Sequence, residues 1–141
     1  EIKSLFGERF AQDINRTHLY IQQKEREKTK LHASTAAEYN NSLETRWVCA
    51  VDDITQVERI AELSQRTNQF NLSGTRYSKK QITEFIEDKS KHMISLSVRD
   101  KYGDMGIIGA AVVSVFENSA VIDSFFLSCR SFDREFEVVL M

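Results

Sequence analysis

The C-terminal half of the chain constrains the fold most, because three β-type patterns follow one another with only short turns between them. Ile94, Leu96 and Val98 alternate with Ser95, Ser97 and Arg99, the period-two pattern of a strand with one wet face. Lys101 to Gly106 reads as a turn. From Ile107 to Phe116 nearly every residue is apolar, which suits a central strand covered on both faces. Glu117-Asn118-Ser119 is a tight turn, and Ala120 to Ser128 is the next strand. Turns this short join antiparallel neighbours, since a parallel crossover needs roughly a dozen residues or more.

Upstream, helix starts are marked by capping boxes, in which a hydroxyl and a carboxylate or amide satisfy each other's orphan backbone donors. Thr35-Ala36-Ala37-Glu38 opens a short helix running to about Glu44. Thr55-Gln56-Val57-Glu58 opens one that turns Val57, Ile60, Ala61 and Leu63 toward the core. Ser78-Lys79-Lys80-Gln81 opens another, with Ile82, Phe85 and Ile86 as its apolar stripe. Before the last two, Arg46 to Val51 is β-prone, with Trp47, Cys49 and Val51 on one face, so Cys49 is expected in the core. Leu5 to Lys30 reads as a helix with a narrow stripe of Phe6, Phe10, Ile14, His18 and Ile21. Beyond Ile21 it is polar all round, as in a solvated helix laced with ion pairs. The absence of proline permits such long helices.

The expected order is β-α-α-β-β-β, with Phe132 to Met141 beginning another helix. The fold class is α/β in the broad sense, more narrowly α+β, with a mostly antiparallel sheet. Residues 1–44 read as a helical arm and 45–141 as one domain. The chain opens on Glu1, so it is expected to be part of something longer.

Composition removes several function classes. At 41% hydrophobic and 28% charged the chain is ordinary globular protein. The net charge is −2, and no basic stripe with interleaved aromatics invites nucleic acid. There is no apolar run long enough for a membrane and no signal-peptide pattern, so a cytoplasmic protein is expected. Cys49 and Cys129 are too few for a disulfide framework. His18, His32 and His92 lack partners at ligand spacing, so no metal site is expected.

Several stretches narrow the reading further. Arg66-Thr67-Asn68-Gln69-Phe70-Asn71-Leu72, followed by Arg76-Tyr77, is similar to a signature of FkbH-like proteins. So are Leu96 to Asp104 with Gly106 and Gly109, and Ile122-Asp123 leading to Leu127-Ser128-Cys129-Arg130. Arg16-Thr17, Tyr20 and Arg26 resemble the segment where that family's phosphatase-like domain hands over to its C-terminal region. The resemblance implies a GNAT-like acyltransferase half-fold. It also implies an upstream domain of the haloacid dehalogenase superfamily, whose magnesium-binding aspartates are not in this chain. The implied activity loads a glyceryl unit from 1,3-bisphosphoglycerate onto an acyl carrier protein, in methoxymalonyl extender biosynthesis. A non-catalytic carrier-docking module and a free-standing GNAT N-acetyltransferase are the alternatives.

Candidate site residues follow from chemistry. A thiolate at Cys129 can hold an acyl group between donor and carrier. It stands beside Arg130 and before an expected helix N-terminus, both of which favour a thiolate. The other reading is a small buried hydrophobe at a strand end. Asn68, Gln69 and Asn71 either bond a glyceryl hydroxyl or a pantetheine amide, or tie down a loop. Phe70 and Leu72 read as core. Arg76 is a fork donor for phosphate or carboxylate, or a surface arginine. Asp123 lies inside an apolar strand, so it is either paired with an arginine or functional.

GNAT folds hold the CoA pyrophosphate on backbone N–H groups of an Arg-x-x-Gly-x-Gly/Ala loop, a pattern that FkbH-like chains resemble. Here the loop reads Arg130-Ser131-Phe132-Asp133-Arg134-Glu135. Arg134 remains as a cofactor-binding candidate, but acidic side chains stand at both glycine positions and repel pyrophosphate. The ligand expected is therefore CoA or, better, carrier-bound phosphopantetheine. The chain stops at Met141, short of the second half of such a fold, so a truncated sheet with an open edge is expected.

Overall fold

The computed structural model describes the backbone of residues 2–141 and the side chains of residues 16–141. Helix α1 spans Ile2–Lys30 and α2 spans Ala36–Ser42. Strand β1 is Arg46–Val51, followed by a single 3-10 turn, Ile54–Gln56. Helices α3 (Val57–Arg66) and α4 (Lys79–Glu87) come next. Strands β2 (Lys91–Asp100), β3 (Gly103–Phe116) and β4 (Ser119–Leu127) complete the sheet. A 3-10 turn, Cys129–Ser131, and the short helix α5 (Glu137–Leu140) end the described chain.

The strands form one antiparallel sheet in the order β1-β2-β3-β4, and the architecture is α+β. Two apolar layers hold it. On one face α3 and α4 bury Ile60, Leu63 and Ile82 against Met93, Ala110, Val112 and Phe126. On the other face Phe136 and Leu140 cover Leu96, Val98, Ala111, Phe125 and Leu127. Phe125 and Phe126 are fully buried on opposite faces, so truncating either to Ala costs about 3–5 kcal/mol. Both faces of β2 and β3 are therefore covered. Ser95, expected on a wet face, is 2% exposed and donates to Gln56 Oε1.

The local signals vary in how they play out. Ser78 and Gln81 form the complete capping box. At α2 the Thr35 Oγ1 accepts from the Glu38 N–H, while the Glu38 carboxylate takes the Ser34 N–H instead of that of Thr35. Thr55 does not cap α3. Asp53 accepts from the Thr55 N–H and hydroxyl and starts the 3-10 turn, and Gln56 precedes α3 without a side-chain cap. Phe132 to Met141 is turn first and helix only from Glu137, because Asp133 and Glu135 take left-handed φ values of 63° and 56°.

Two corrections follow from burial. Trp47, Cys49 and Val51 are exposed, not core: β1 is an edge strand, and among the described residues no helix packs on it as α3, α4 and α5 pack on β2 and β3. The polar end of α1 is not solvated all round. Arg26 is buried, donating to both carboxylate oxygens of Asp100 at 2.8 and 2.9 Å, and the Tyr39 hydroxyl donates to the Arg26 carbonyl. His18 and Ile21 of the expected stripe are exposed, and Phe6, Phe10 and Ile14 lie outside the described side chains. Gly103, at φ 149°, lets Gln22 pack so closely that an added Cβ would sit 2.4 Å from its amide nitrogen. None of the described helices is long and apolar enough to cross a membrane.

Candidate functional site

The end of β4 and the loop after α3 are brought together by backbone pairing. Thr67 Oγ1 donates to the Leu63 carbonyl and closes α3. The chain then runs beside β4: the Leu127 N–H donates to the Phe70 carbonyl at 3.0 Å, and the Leu72 N–H to the Phe125 carbonyl at 3.0 Å. Phe70 packs edge-on against Phe125 and also touches Phe132, which seats the loop on the apolar layer. Residues near 68 and near 129 thereby line one groove.

The turn that carries the thiol is held by its own hydrogen bonds. The Ser128 N–H donates to the Ile108 carbonyl, and Ser128 Oγ accepts from the Arg130 N–H. Ser131 is fully buried and donates from Oγ to the Ser128 carbonyl at 2.5 Å. With Ser131 anchored inside, Cys129 and Arg130 point outward, and the Cys129 thiol is free and exposed. Cys129 is itself the first residue of a single 3-10 turn, so no α-helix N-terminus stands behind the sulfur as expected.

The groove holds about 400 Å³. Its apolar lining is Leu63, Phe70, Leu127 and Phe132. Its polar lining is Arg59, Arg66, Thr67, Asn68, Gln69, Ser128, Cys129 and Arg130. Arg59 is neutralised by Glu62 at 3.0 Å. Among the described residues the guanidinium groups of Arg66 and Arg130 have no hydrogen-bond or ion-pair partner. An open thiol, two uncommitted cations and two side-chain amides thus share one concavity. Such a set suits a thioester or acyl group whose other end is anionic.

Four of the expected site residues meet here: Cys129, Arg130, Asn68 and Gln69. The rest do other work. Asn71 donates from Nδ2 to the Thr75 carbonyl and ties the α3–α4 loop, and Arg76 Nη2 donates to Asn68 Oδ1 at 2.6 Å. Arg76 therefore positions a groove amide from outside. Asp123 is paired, but with a lysine: it accepts from Lys91 Nζ and Ser114 Oγ on the sheet, apart from the groove. The Ser114 hydroxyl first, then Lys91, holds its carboxyl below the ordinary value. Leu72, expected in the core, is exposed.

Arg134 is 3% exposed and fully committed. Its Nη1 donates to Asp100 Oδ2 at 3.2 Å, its Nη2 to Thr45 Oγ1 at 2.5 Å and its Nε to Asn40 Oδ1 at 2.8 Å. It also lies over the Tyr39 and Phe136 rings. It joins Arg26 on Asp100 and has no group left for a cofactor. The residues of this loop do not fit a CoA pyrophosphate: the two positions where glycine was expected do take left-handed φ, but each carries an acidic side chain, and Lys30 is drawn to Asp133 at 2.5 Å.

Sequence reasoning did not single out Arg59, Arg66, Thr67 or Ser128 as lining residues. Arg66 opens the polar run quoted above, and its place at the helix end was the available signal. No family model, curated protein or solved structure matches the chain.

Proposed function

We propose that the protein is an acyltransferase-like domain that carries an acyl group on Cys129 and passes it to the phosphopantetheine thiol of an acyl carrier protein. The observation that carries this reading is the exposed thiol in a groove with two unpaired guanidinium groups and two amides. The Cys129 thiolate attacks the carbonyl of an acyl phosphate, the C–S bond forms, the C–O bond to phosphate breaks, and phosphate leaves. The carrier thiolate then attacks the thioester carbonyl and frees Cys129. Arg66 and Arg130 supply charge for the leaving phosphate or for the phosphate of the pantetheine arm. Asn68, held by Arg76, and Gln69 supply amides for hydroxyl or peptide groups of the ligand.

The resemblance to FkbH-like proteins makes the acyl group a glyceryl unit from a phosphorylated three-carbon acid, with the phosphatase step done by a separate domain. A GNAT N-acetyltransferase is disfavoured by Asp133 and Glu135, which stand where a pyrophosphate cradle needs bare backbone. The same two residues favour, as a second reading, a carrier-docking module without covalent chemistry. Incubation with 1,3-bisphosphoglycerate, a phosphatase domain and a carrier protein, followed by intact mass analysis, separates the two. A thioester adduct that disappears in Cys129→Ser supports acyl transfer. Carrier binding with no adduct under any condition supports docking alone.

A further inference from the structure

The buried cluster around Asp100 holds more positive charge than negative. Arg26 is 4% and Arg134 3% exposed, and both guanidinium groups rest on the one Asp100 carboxylate. Two cations less one anion leave one positive charge without a counter-charge inside the protein. A charge taken out of water is costly unless it is paired. Burial, first of all, pulls the Arg134 pKa below its ordinary value, against the pull of Asp100.

Arg26 also has unused donors. Its Nε and Nη2 serve Asp100, and Nη2 reaches the Gly103 carbonyl as well. Its Nη1 has no acceptor among the described residues. Unused N–H groups on so deeply set a guanidinium are strong donors to an anion.

Arg26 lines two adjoining concavities. One, of about 280 Å³, runs beside Arg16, Tyr20 and Met105. The other, of about 210 Å³, lies between α1 and the 129–134 turn, with Cys129 in its wall. The residues that line both are Gln23, Arg26 and Arg130. Among the described residues the exposed Arg130 side chain has no hydrogen-bond or ion-pair partner, and neither has the half-buried Gln23 amide. Each concavity has acids of its own. Asp133 is paired with Lys30, and Asp104 accepts from the Gly106 N–H. Neither these two nor Glu27 lines both concavities.

We infer that the junction of the two concavities binds a phosphate group, held by Arg26 Nη1, the Arg130 guanidinium and the Gln23 amide. The charge left over in the Asp100 cluster and the charge of Arg130 together match the about −1.5 to −2 of a phosphate monoester near neutral pH. Two guanidinium forks suit its several oxygens, where a carboxylate would bring half the charge. The site goes beyond the acyl-transfer reading and requires no reaction at Cys129, so the two stand or fall separately.

Nitrogen-15 NMR of the full chain tests this, in a titration with inorganic phosphate at ionic strength matched by chloride. The side-chain signals of Gln23, Arg26 and Arg130 should shift together with one Kd, and phosphate should raise the melting temperature. Gln23→Glu sets a carboxylate at the junction and should weaken binding at least tenfold. Arg46→Gln, an equal charge change on β1, should alter it less than twofold. Residue 23 makes no hydrogen bond among the described residues, so Gln23→Glu keeps its fold, checked by circular dichroism. Arg26→Met, which leaves Asp100 and Arg134 as a neutral pair, should abolish the shifts and the thermal gain. Parallel titrations with 4′-phosphopantetheine and with pantetheine identify the source. Tighter binding of the phosphorylated arm than of inorganic phosphate assigns the end of a longer ligand, and equal affinity assigns free phosphate. No saturable shift beyond the chloride control at tens of millimolar phosphate would overturn the inference. So would binding that survives both Gln23→Glu and Arg26→Met; its loss in Arg66→Glu would move the anion to the main groove.

Discussion

Removing the carboxylate of Asp100 should be among the most damaging single changes available. Its side chain is 0% exposed and holds two guanidinium groups, Arg26 at 2.8 Å and Arg134 at 3.2 Å, with the Tyr102 N–H as a further donor. Asp100→Ala would leave two buried cations with no anion between them. Breaking a buried pair by deleting one partner costs about 3–5 kcal/mol, a large part of the ~5–15 kcal/mol that holds a domain together. For a chain of this size that is a fall in melting temperature of roughly 10–20 °C. Arg26→Met is the informative companion. It removes one cation and leaves Asp100 and Arg134 as a neutral pair, so it should cost only about 1–2 kcal/mol. Urea denaturation of both variants, with hydrogen exchange across α1, reads the difference. Exchange should rise in residues 19–30 in both variants, because the Arg26–Asp100 pair is a buried contact docking that helix, beside Thr29–Tyr102 and Lys30–Asp133. If Asp100→Ala proves no worse than Arg26→Met, the shared-anion argument fails.

Four further outcomes follow from the same structure. Burial raises the Asp100 carboxyl pKa, but hydrogen bonds and charge from Arg26, the Tyr102 N–H and Arg134 outweigh it, and the net shift is downward. A carboxyl depressed in the folded state stabilises above its unfolded value and loses that contribution as pH falls through the folded one. The urea midpoint should therefore hold down to about pH 4 and drop below it, and this drop should shrink in Asp100→Asn. Glu135→Gly relieves a left-handed residue and should raise stability by about 1 kcal/mol in thermal melts; a loss would show that the side chain is needed there. Ser78→Ala removes the capping box of α4 and should cost about 1 kcal/mol by denaturation. Arg66→Ala and Arg130→Ala should each lower the rate of Cys129 acylation by an anionic donor at least tenfold, while an uncharged thioester donor reacts almost unchanged; equal losses with both donors would assign the arginines a structural role.

Much of the framework was legible because it is written in near neighbours. A period-two run placed β2, a nearly continuous apolar run placed β3, the stretch after the tight turn at 117–119 placed β4, and short turns made them antiparallel. Ser78 and Gln81 marked α4 three residues apart, and Ile60, Ala61 and Leu63 declared the buried side of α3. The candidate groove was half legible: Cys129, Arg130, Asn68 and Gln69 were chosen for their chemistry, and backbone pairing between residues 70–72 and β4 brings them together. Asp53 was missed as a start signal because an aspartate accepting from the residue two positions on competes with a threonine box beside it.

Only the tertiary structure decided which polar groups go inside and which apolar ones stay out. Arg26 and Asp100 are 74 residues apart, and Arg134 and Asp100 are 34 apart, so nothing local announces that three charges will share one buried site. Trp47 and Cys49 carry the pattern of a core strand, but a strand is buried only when something lies on its faces and both edges, and β1 has β2 alone. Sequence patterns record what a residue is and what stands a few positions away. Burial depends on partners that the fold delivers from elsewhere in the chain, or from outside it.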